Sequence, residues 1–169
     1  MKSMTIRHLT TAGIVGGLYA ALTVFGSAFG ISYGPVQLRF AEALCVLPYF
    51  FPETAWGLGV GCLIANLFSP YGLPDILIGS LTTLLAGLLT ARCRRKYLAP
   101  LPPIVLNGAV IGALLAFEQV GFSAAFGAAF ALNAGSVAIG EALSCGVLGL
   151  LLLQWLPKAE FFKKSSEKD

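Results

Sequence analysis

The feature that most constrains this chain is a series of long hydrophobic runs that carry no charge. The first is Leu9–Ile31, which has 23 residues in succession without Asp, Glu, Lys or Arg. About 20 apolar residues let a helix cross the roughly 30 Å hydrocarbon core of a bilayer. The run is longer than the roughly 7–15 apolar residues of a signal peptide, and further hydrophobic runs follow it. We therefore interpret it as a retained first transmembrane helix.

The composition agrees with a membrane protein and argues against several other classes. Hydrophobic residues make up 57% of the 169 residues and charged residues 11%, against roughly 45–50% and about 25% in soluble globular proteins. So few polar residues cannot cover a water-facing surface. The composition disfavours a soluble enzyme, a disordered chain and a nucleic-acid-binding protein, and it predicts one integral membrane domain over residues 1–169.

Prolines, glycines and charged residues divide the chain into six predicted helices, which form an all-α bundle. The Pro102–Pro103 pair suits the first turn of the fifth helix, where a missing N–H costs nothing. The second and third helices are short, which suggests that they lie partly inside the bundle or are re-entrant. The predicted helices cover about residues 9–29, 36–50, 53–68, 75–92, 102–118 and 126–155.

Ten of the eleven basic residues form three clusters: at the N-terminal tail, between helices four and five, and at the C-terminal tail. Basic residues beside transmembrane helices mark the cytoplasmic side, and six crossings place both termini on that side of a cell membrane. A nucleic-acid patch is the alternative, but no soluble domain carries these residues. The clusters are Lys2 and Arg7; Arg92, Arg94, Arg95 and Lys96; and Lys158, Lys163, Lys164 and Lys168.

Polar side chains inside the predicted helices are the candidate functional residues, because an ionisable group at mid-bilayer costs roughly 2.5–3.5 kcal/mol on insertion scales. Most of them lie in the outer half of the six-helix topology, together with aromatic residues of the outer loops. This predicts a small-molecule site that opens to the outside. The predicted substrate-binding residues are Tyr33, Gln37, Arg39, Glu42, Asn66, Tyr71, Asp75, Asn133 and Glu141.

Some of these residues also have a purely structural interpretation. Arg39 and Glu42 are three residues apart and could neutralise each other. Asp75 follows Pro74 and could be a helix cap. Glu141 has no basic residue near it in sequence, so it is the first candidate for a functional acid. Glu118 is interpreted as a loop carboxylate, and Asn107 is assigned to the inner half, away from the site.

The chain offers little material for catalysis or for a metal site. His8 is its one histidine, and the cysteines show no CxxC spacing, so zinc binding and a Cys–His nucleophile are both disfavoured. We interpret the cysteines as small buried hydrophobic residues and expect a protein that is not an enzyme and uses no cofactor. The cysteines are Cys45, Cys62, Cys93 and Cys145.

Small residues recur at four-residue spacing on two neighbouring stripes of the first helix. Such stripes let another helix approach closely in lipid. They could serve packing inside the bundle or form a docking face for a partner subunit, and the sequence leaves both open. The stripes are Ala12, Gly16 and Ala20, and Gly13, Gly17 and Ala21.

Four segments resemble the QueT family, which comprises substrate-binding S components of energy-coupling-factor (ECF) transporters. They are Tyr33–Leu44 (YGPVQLRFAEAL), Gly61–Phe68 (GCLIANLF), Leu101–Asn107 (LPPIVLN) and Ile139–Ala142 (IGEA). The resemblance covers nearly the whole chain. It implies a six-helix S component that works with a membrane scaffold subunit and two cytoplasmic ATPases, and it implies that the small-residue stripes dock on the scaffold.

The resemblance also implies the substrate, a queuosine precursor such as aminomethyl deazaguanine or queuine. Adjacent N–H donors on a guanine-like edge suit a carboxylate, for which we predict Glu141. The cationic arm suits Asp75 or Glu42, and the ring carbonyl suits Asn, Gln or Arg39. A tyrosine, Tyr33 or Tyr71, would stack on the base.

Other functions remain as alternatives. The chain could be an S component for another vitamin or nucleobase, or a self-sufficient secondary transporter, although we find no repeat between its halves of the kind common in that class. A small membrane enzyme ranks last. The sequence has no GxxxxGK[ST] phosphate loop, so ATP hydrolysis is expected from partner subunits.

Overall fold

The computed structural model describes residues 6–28, 39–69 and 72–156. Over this part of the chain the protein is helical, without a β-strand, which confirms the all-α prediction. The α-helices are α1 (Ile6–Ala28), α2 (Thr54–Asn66), α3 (Ser80–Thr90), α4 (Leu101–Val120), α5 (Phe126–Glu141) and α6 (Leu150–Trp155), joined by 3₁₀ helices at Phe40–Tyr49 and Lys96–Leu98 and by π-helical segments at Asp75–Gly79 and Ala142–Gly149.

Three helical stretches are long and apolar enough to cross a membrane by length and composition. They are Ile6–Ser27, Lys96–Val120 and Phe126–Trp155, the last of which joins α5, a π-helical segment and α6. The other apolar helices are shorter. At about 1.5 Å per residue α2 reaches only about 20 Å, less than the roughly 30 Å hydrocarbon core. The count of six crossings and the side of the termini stay predictions.

The surface of these helices is apolar. Phe25, Val60, Val105, Leu132 and Leu151 come from five different helices, and each is more than half exposed. Apolar side chains exposed around so much of a protein would aggregate in water, whereas lipid tails solvate them. The surface therefore agrees with an integral membrane protein.

The second predicted helix is a 3₁₀ helix at Phe40–Tyr49, where the sequence predicted a longer segment that began near residue 36. Residues 36–38 lie outside the described residues. Pro48 lies within this helix, and its ring and missing N–H are incompatible with regular α-helical hydrogen bonding. The segment is central to the fold, since Ala41, Cys45 and Val46 are fully buried.

Glycine seams bring the helices that carry polar residues close together. A Cβ on Gly57 would meet the Ala12 carbonyl oxygen, and a Cβ on Gly61 would meet the Gly16 carbonyl. The backbones of α1 and α2 are therefore in direct contact, as small residues permit in membrane helices.

The α4–α5 pair has a similar seam. A Cβ on Gly112 would lie 2.6 Å from the Ala134 Cα, and one on Gly108 would lie 3.3 Å from the Ala138 Cβ. The helical stretch Phe126–Trp155, which we call the last rod, meets the 3₁₀ helix Phe40–Tyr49 in the same way, since a Cβ on Gly149 would lie 2.9 Å from Val46 Cγ1. These contacts fix the relative positions of α4, the last rod and the 3₁₀ helix.

Candidate functional site

Two buried carboxylates meet inside the bundle. Glu42 comes from the 3₁₀ helix and is 1% exposed, and Glu141 is the last residue of α5 and is 4% exposed. One oxygen of each carboxylate and the Cys145 sulfur all lie within 4.8 Å of one another. A π-helical segment begins directly after Glu141, and such segments frequently occur at functional sites. We call Glu42 and Glu141 the carboxylate pair.

Glu42 is held by donors from α1 and from its own helix. The Tyr19 hydroxyl donates to Glu42 Oε1 at 2.5 Å, and the Cys45 thiol lies 2.9 Å from Glu42 Oε2. Tyr19 reaches this position because α1 packs tightly on α2 through the glycine seam. Both oxygens of Glu42 therefore have a neutral donor.

Glu141 is held by α4. The Asn107 amide donates to Glu141 Oε1 at 2.6 Å, across the close α4–α5 contact. The Cys145 thiol lies 3.3 Å from Glu141 Oε2 and 3.0 Å from the backbone carbonyl oxygen of Glu42, so it links the two acidic residues. The carboxylate pair thus joins α1, the 3₁₀ helix, α4 and the last rod.

The electrostatics of the carboxylate pair set what it can bind. At an effective dielectric constant of about 20, two like unit charges 4.8 Å apart repel by roughly 3.5 kcal/mol. Arg39 interacts electrostatically with both carboxylates, but the described residues contain no direct ion pair between Arg39 and Glu42. Together with Cys145, the pair forms a ligand set of a kind that could hold a cation.

Asp75 belongs to a second polar network. The Ser69 hydroxyl donates to Asp75 Oδ2 at 2.6 Å, and the Asn66 amide donates to the Asp75 backbone carbonyl at 2.9 Å. Asn66 also lies 3.5 Å from the Cys62 sulfur. A Cβ on Gly79 would crowd the Asn66 amide at 2.7 Å, so the glycine makes room for this network. Asp75 begins the other π-helical segment.

The structure brings some of the predicted site residues together and separates others. Glu42 and Glu141 meet, and Arg39 lies within electrostatic range of both Glu42 and Asp75. Asn133 is apart from them, since its amide donates to Gln119 Oε1 and to the Ala129 carbonyl, both at 2.9 Å. The predicted residues Tyr33, Gln37 and Tyr71 lie outside the described residues.

Sequence reasoning missed four residues that contact the carboxylate pair: Tyr19, Asn107, and also Cys45 and Cys145, which it interpreted only as small buried hydrophobic residues. It placed Asn107 away from the site, in the inner half, but the structure places its side chain against Glu141. Counting along the antiparallel α4–α5 hairpin would have found it, because the two residues lie at nearly equal distances from the connecting loop. Tyr19 lies on the small-residue stripe that faces inward.

The two stripes of α1 have different surroundings. Ala12, Gly16 and Ala20 are buried, and the first two line the seam with α2. The neighbouring stripe is exposed, and nothing lies within 4 Å of a Cβ placed on Gly13 or Gly17. The first stripe therefore serves packing inside the bundle, whereas the second stripe, which includes Ala21, faces outward.

Comparison with known proteins agrees with these features. The family model described as QueT transporter matches residues 9–158. The curated protein named Queuosine precursor transporter QueT, from Lactococcus lactis subsp. cremoris (strain MG1363), is 34% identical over 84 residues, which are 50% of this chain and 49% of that protein. The match thus spans about half the length of this relative. No solved structure matches the chain. The family model covers all the described helices from residue 9 onward, and on that ground the chain belongs to the QueT transporter family.

Proposed function

We propose that this protein captures a queuosine precursor on the outside of the cell, as the substrate-binding S component of an ECF importer. Membership of the QueT transporter family and the name of the Lactococcus relative support this proposal. The observation that carries it is the carboxylate pair, because groups so costly to bury in a membrane protein usually serve a substrate or ion. The pair lies where α1, the 3₁₀ helix, α4 and the last rod converge.

The chemistry of a deazaguanine fits these residues. The base has N–H donors on one edge and a ring carbonyl, and its aminomethyl form adds a cationic arm. The carboxylates of Glu42 and Glu141 accept hydrogen bonds from such donors, and Arg39 supplies a donor for the carbonyl. Of the two acids predicted for the arm, Glu42 is the better placed, because its carboxylate lies beside that of Glu141.

The energy for import would come from partner subunits. The chain has no GxxxxGK[ST] phosphate loop, so it lacks the usual means of binding ATP. We propose that a membrane scaffold and two cytoplasmic ATPases complete the transporter. The exposed stripe Gly13, Gly17 and Ala21 is the proposed contact with the scaffold, since its open surface lets another helix approach closely.

Small molecules that co-purify with the protein test the substrate. Mass spectrometry should find a deazaguanine in protein purified from cells that make or are fed queuosine precursors. The Glu141→Gln variant should bind added aminomethyl deazaguanine at least about tenfold more weakly, as expected for loss of a charged hydrogen-bond partner. Glu118→Gln is the control, because Glu118 is an exposed carboxylate on α4. A bound flavin or thiamin, or unchanged affinity in Glu141→Gln, would contradict the assignment.

Substitutions on the exposed stripe test the partner. In Gly17→Leu the new side chain should fill the space that the scaffold helix needs. This variant should reduce co-purification of the scaffold and the ATPases without changing substrate binding. Gly127→Leu is the matched control, because Gly127 is an exposed glycine on α5 that also has nothing within 4 Å of its Cβ position. Substrate uptake into vesicles by this chain alone would favour a self-sufficient transporter instead.

A further inference from the structure

The charges around the carboxylate pair do not balance. Three acidic residues are almost fully buried, Glu42, Asp75 and Glu141. The guanidinium of Arg39 is the one basic group described within their electrostatic range. If all three acids were ionised, this region would carry an excess of two negative charges. Buried charges need a compensating partner, so with all three acids ionised the region would need at least one further positive charge.

A second observation points to a missing polar group at the same place. Ser144 is fully buried and its hydroxyl has no hydrogen-bond partner. It shares one buried face of the last rod with Glu141 and Cys145, whereas Ala142 and Leu143 are exposed. Nearly all buried polar side chains in proteins have a partner. The Ser144 hydroxyl is therefore a further polar group on this face of the rod, available to bond a polar ligand.

We propose that Glu42 and Glu141 together bind a single protonated amine, so that the site selects precursors that carry a cationic arm and holds a proton in place of the amine when empty. This inference rests on the proposed function and refines it. The two carboxylates are too close to serve different parts of the substrate, because one oxygen of each lies within 4.8 Å of the other. An ammonium group between them can donate to both. The guanine edge must then bind elsewhere, which revises the assignment of Glu141 to that edge.

Every element that packs against the pair contributes groups that bear on its charge. The donors to the two carboxylates, from tyrosine, cysteine and asparagine side chains, are neutral at pH 7 in the ordinary range of these groups. The Arg39 guanidinium is positive, and Asp75 is a further acid within its electrostatic range. The groups are Tyr19 from α1, Arg39 immediately before the 3₁₀ helix, Cys45 within that helix, Cys62 from α2, Asp75 from the π-helical segment, Asn107 from α4, and Ser144 and Cys145 from the last rod.

The exchange of a proton for an amine predicts the direction in which substrate affinity changes with pH. In the empty protein a proton shared by the pair relieves the repulsion, as in other close carboxylate dyads. When the ammonium group enters, that proton leaves to bulk water. Acid therefore competes with the substrate, and affinity should fall as the pH is lowered. A substrate with a neutral arm displaces no proton and gains no charge contact.

Three deazaguanine ligands that differ only in the arm test the proposal on the wild-type protein. Isothermal titration calorimetry would compare aminomethyl deazaguanine, its nitrile analogue and deazaguanine without an arm. We expect the amine to bind about 30-fold or more tightly than the nitrile, because a buried charge contact is lost with the nitrile. Repeating the amine titration at one pH in buffers of different ionisation enthalpy should show release of a proton. Equal affinity of the amine and the nitrile would overturn the inference while leaving deazaguanine capture intact.

Variants then locate the selectivity. Glu42→Gln should abolish the preference for the amine and the proton release, while Glu118→Gln should keep both. Retention of the full preference in Glu42→Gln would overturn the inference. Binding of Zn²⁺ that Glu42→Gln abolishes, without any amine preference in the wild type, would replace it with a metal site. If none of the three ligands binds the wild-type protein, the proposed function fails, and this inference fails with it.

Discussion

The two buried polar networks of this protein differ in how they are built. The network around Asp75 is local, since Ser69 and Asn66 are six and nine residues away in sequence. The carboxylate pair joins residues from distant parts of the chain, and the contact between Cys145 and Glu42 spans 103 positions. All three carboxylates accept hydrogen bonds from neutral side chains, but Glu42 and Glu141 also lie beside each other.

This difference separates a structural role from a functional one. A buried carboxylate whose donor lies only six residues away in sequence holds neighbouring segments of the chain together and needs no ligand to satisfy it. Two ionised carboxylates within 4.8 Å of each other destabilise the empty protein unless a proton or a cation lies between them. We therefore assign Asp75 mainly to the architecture and the pair mainly to the substrate. Substitution of Asp75 should therefore mainly lower stability, whereas substitution of the carboxylate pair should mainly weaken substrate binding.

The largest expected effect is the loss of both charges of the pair. The double variant Glu42→Gln with Glu141→Gln should bind aminomethyl deazaguanine about 100-fold or more weakly, since no anion remains for the amine. Its thermal unfolding temperature in detergent should be unchanged or higher, because two neutral amides need neither a proton nor a cation between them. Calorimetry and a thermal melt of the same preparations would measure both. Near-normal amine binding, or a large fall in melting temperature, would contradict the division of roles.

The next effect comes from the seam that holds α1 in place. In Gly57→Ala the new methyl group would overlap the Ala12 carbonyl. The backbone shift needed to remove this overlap should lower the unfolding free energy by about 3 kcal/mol. Moving α1 also draws Tyr19 away from Glu42, so binding should weaken with stability. Gly13→Ala is the matched control, because nothing lies within 4 Å of that Cβ position. Equal melting temperatures of the two variants would contradict the close contact between the α1 and α2 backbones at Gly57.

Hydrophobic run lengths predicted the helical class and the approximate positions of the helices, because both depend on local sequence. The same information could not show that the Phe40–Tyr49 helix is a 3₁₀ helix, nor that π-helical segments accompany Asp75 and Glu141. Those features depend on how each helix packs on its neighbours, which the order of hydrophobic and polar residues along the chain does not determine.

The candidate site could also be predicted only in part from the sequence. Glu141 and Glu42 were identified from the cost of placing acids in a membrane, a property of the residues themselves. That their carboxylates lie within 4.8 Å of each other depends on how distant helices pack, and the small-residue spacing in the sequence does not show which helices meet. Tyr19 escaped notice because it lies among apolar residues of α1, and its role depends on a partner 23 residues away.

A smaller effect should follow from removing the acid of the structural network. Asp75→Ala deprives the Ser69 hydroxyl of this acceptor and leaves a small cavity, so it should lower the unfolding free energy by about 2 kcal/mol. The ratio of amine to nitrile affinity should stay close to that of the wild type. Asp75→Asn keeps an acceptor oxygen and should lose less stability. Loss of the amine preference in Asp75→Ala with normal stability would place Asp75 at the amine instead.

The smallest expected effect concerns the donor that orients Glu42. Tyr19→Phe removes the hydroxyl that donates to Glu42 Oε1 and changes little else, so it should cost about 1 kcal/mol in binding, close to fivefold in Kd. Because the carboxylate itself remains, the preference for the amine over the nitrile should persist. Thr23→Val is the matched control, since the Thr23 hydroxyl bonds to the Tyr19 carbonyl of its own helix and contacts neither carboxylate. If Tyr19→Phe abolished the amine preference as completely as Glu42→Gln, Tyr19 would contact the substrate directly and not merely position Glu42.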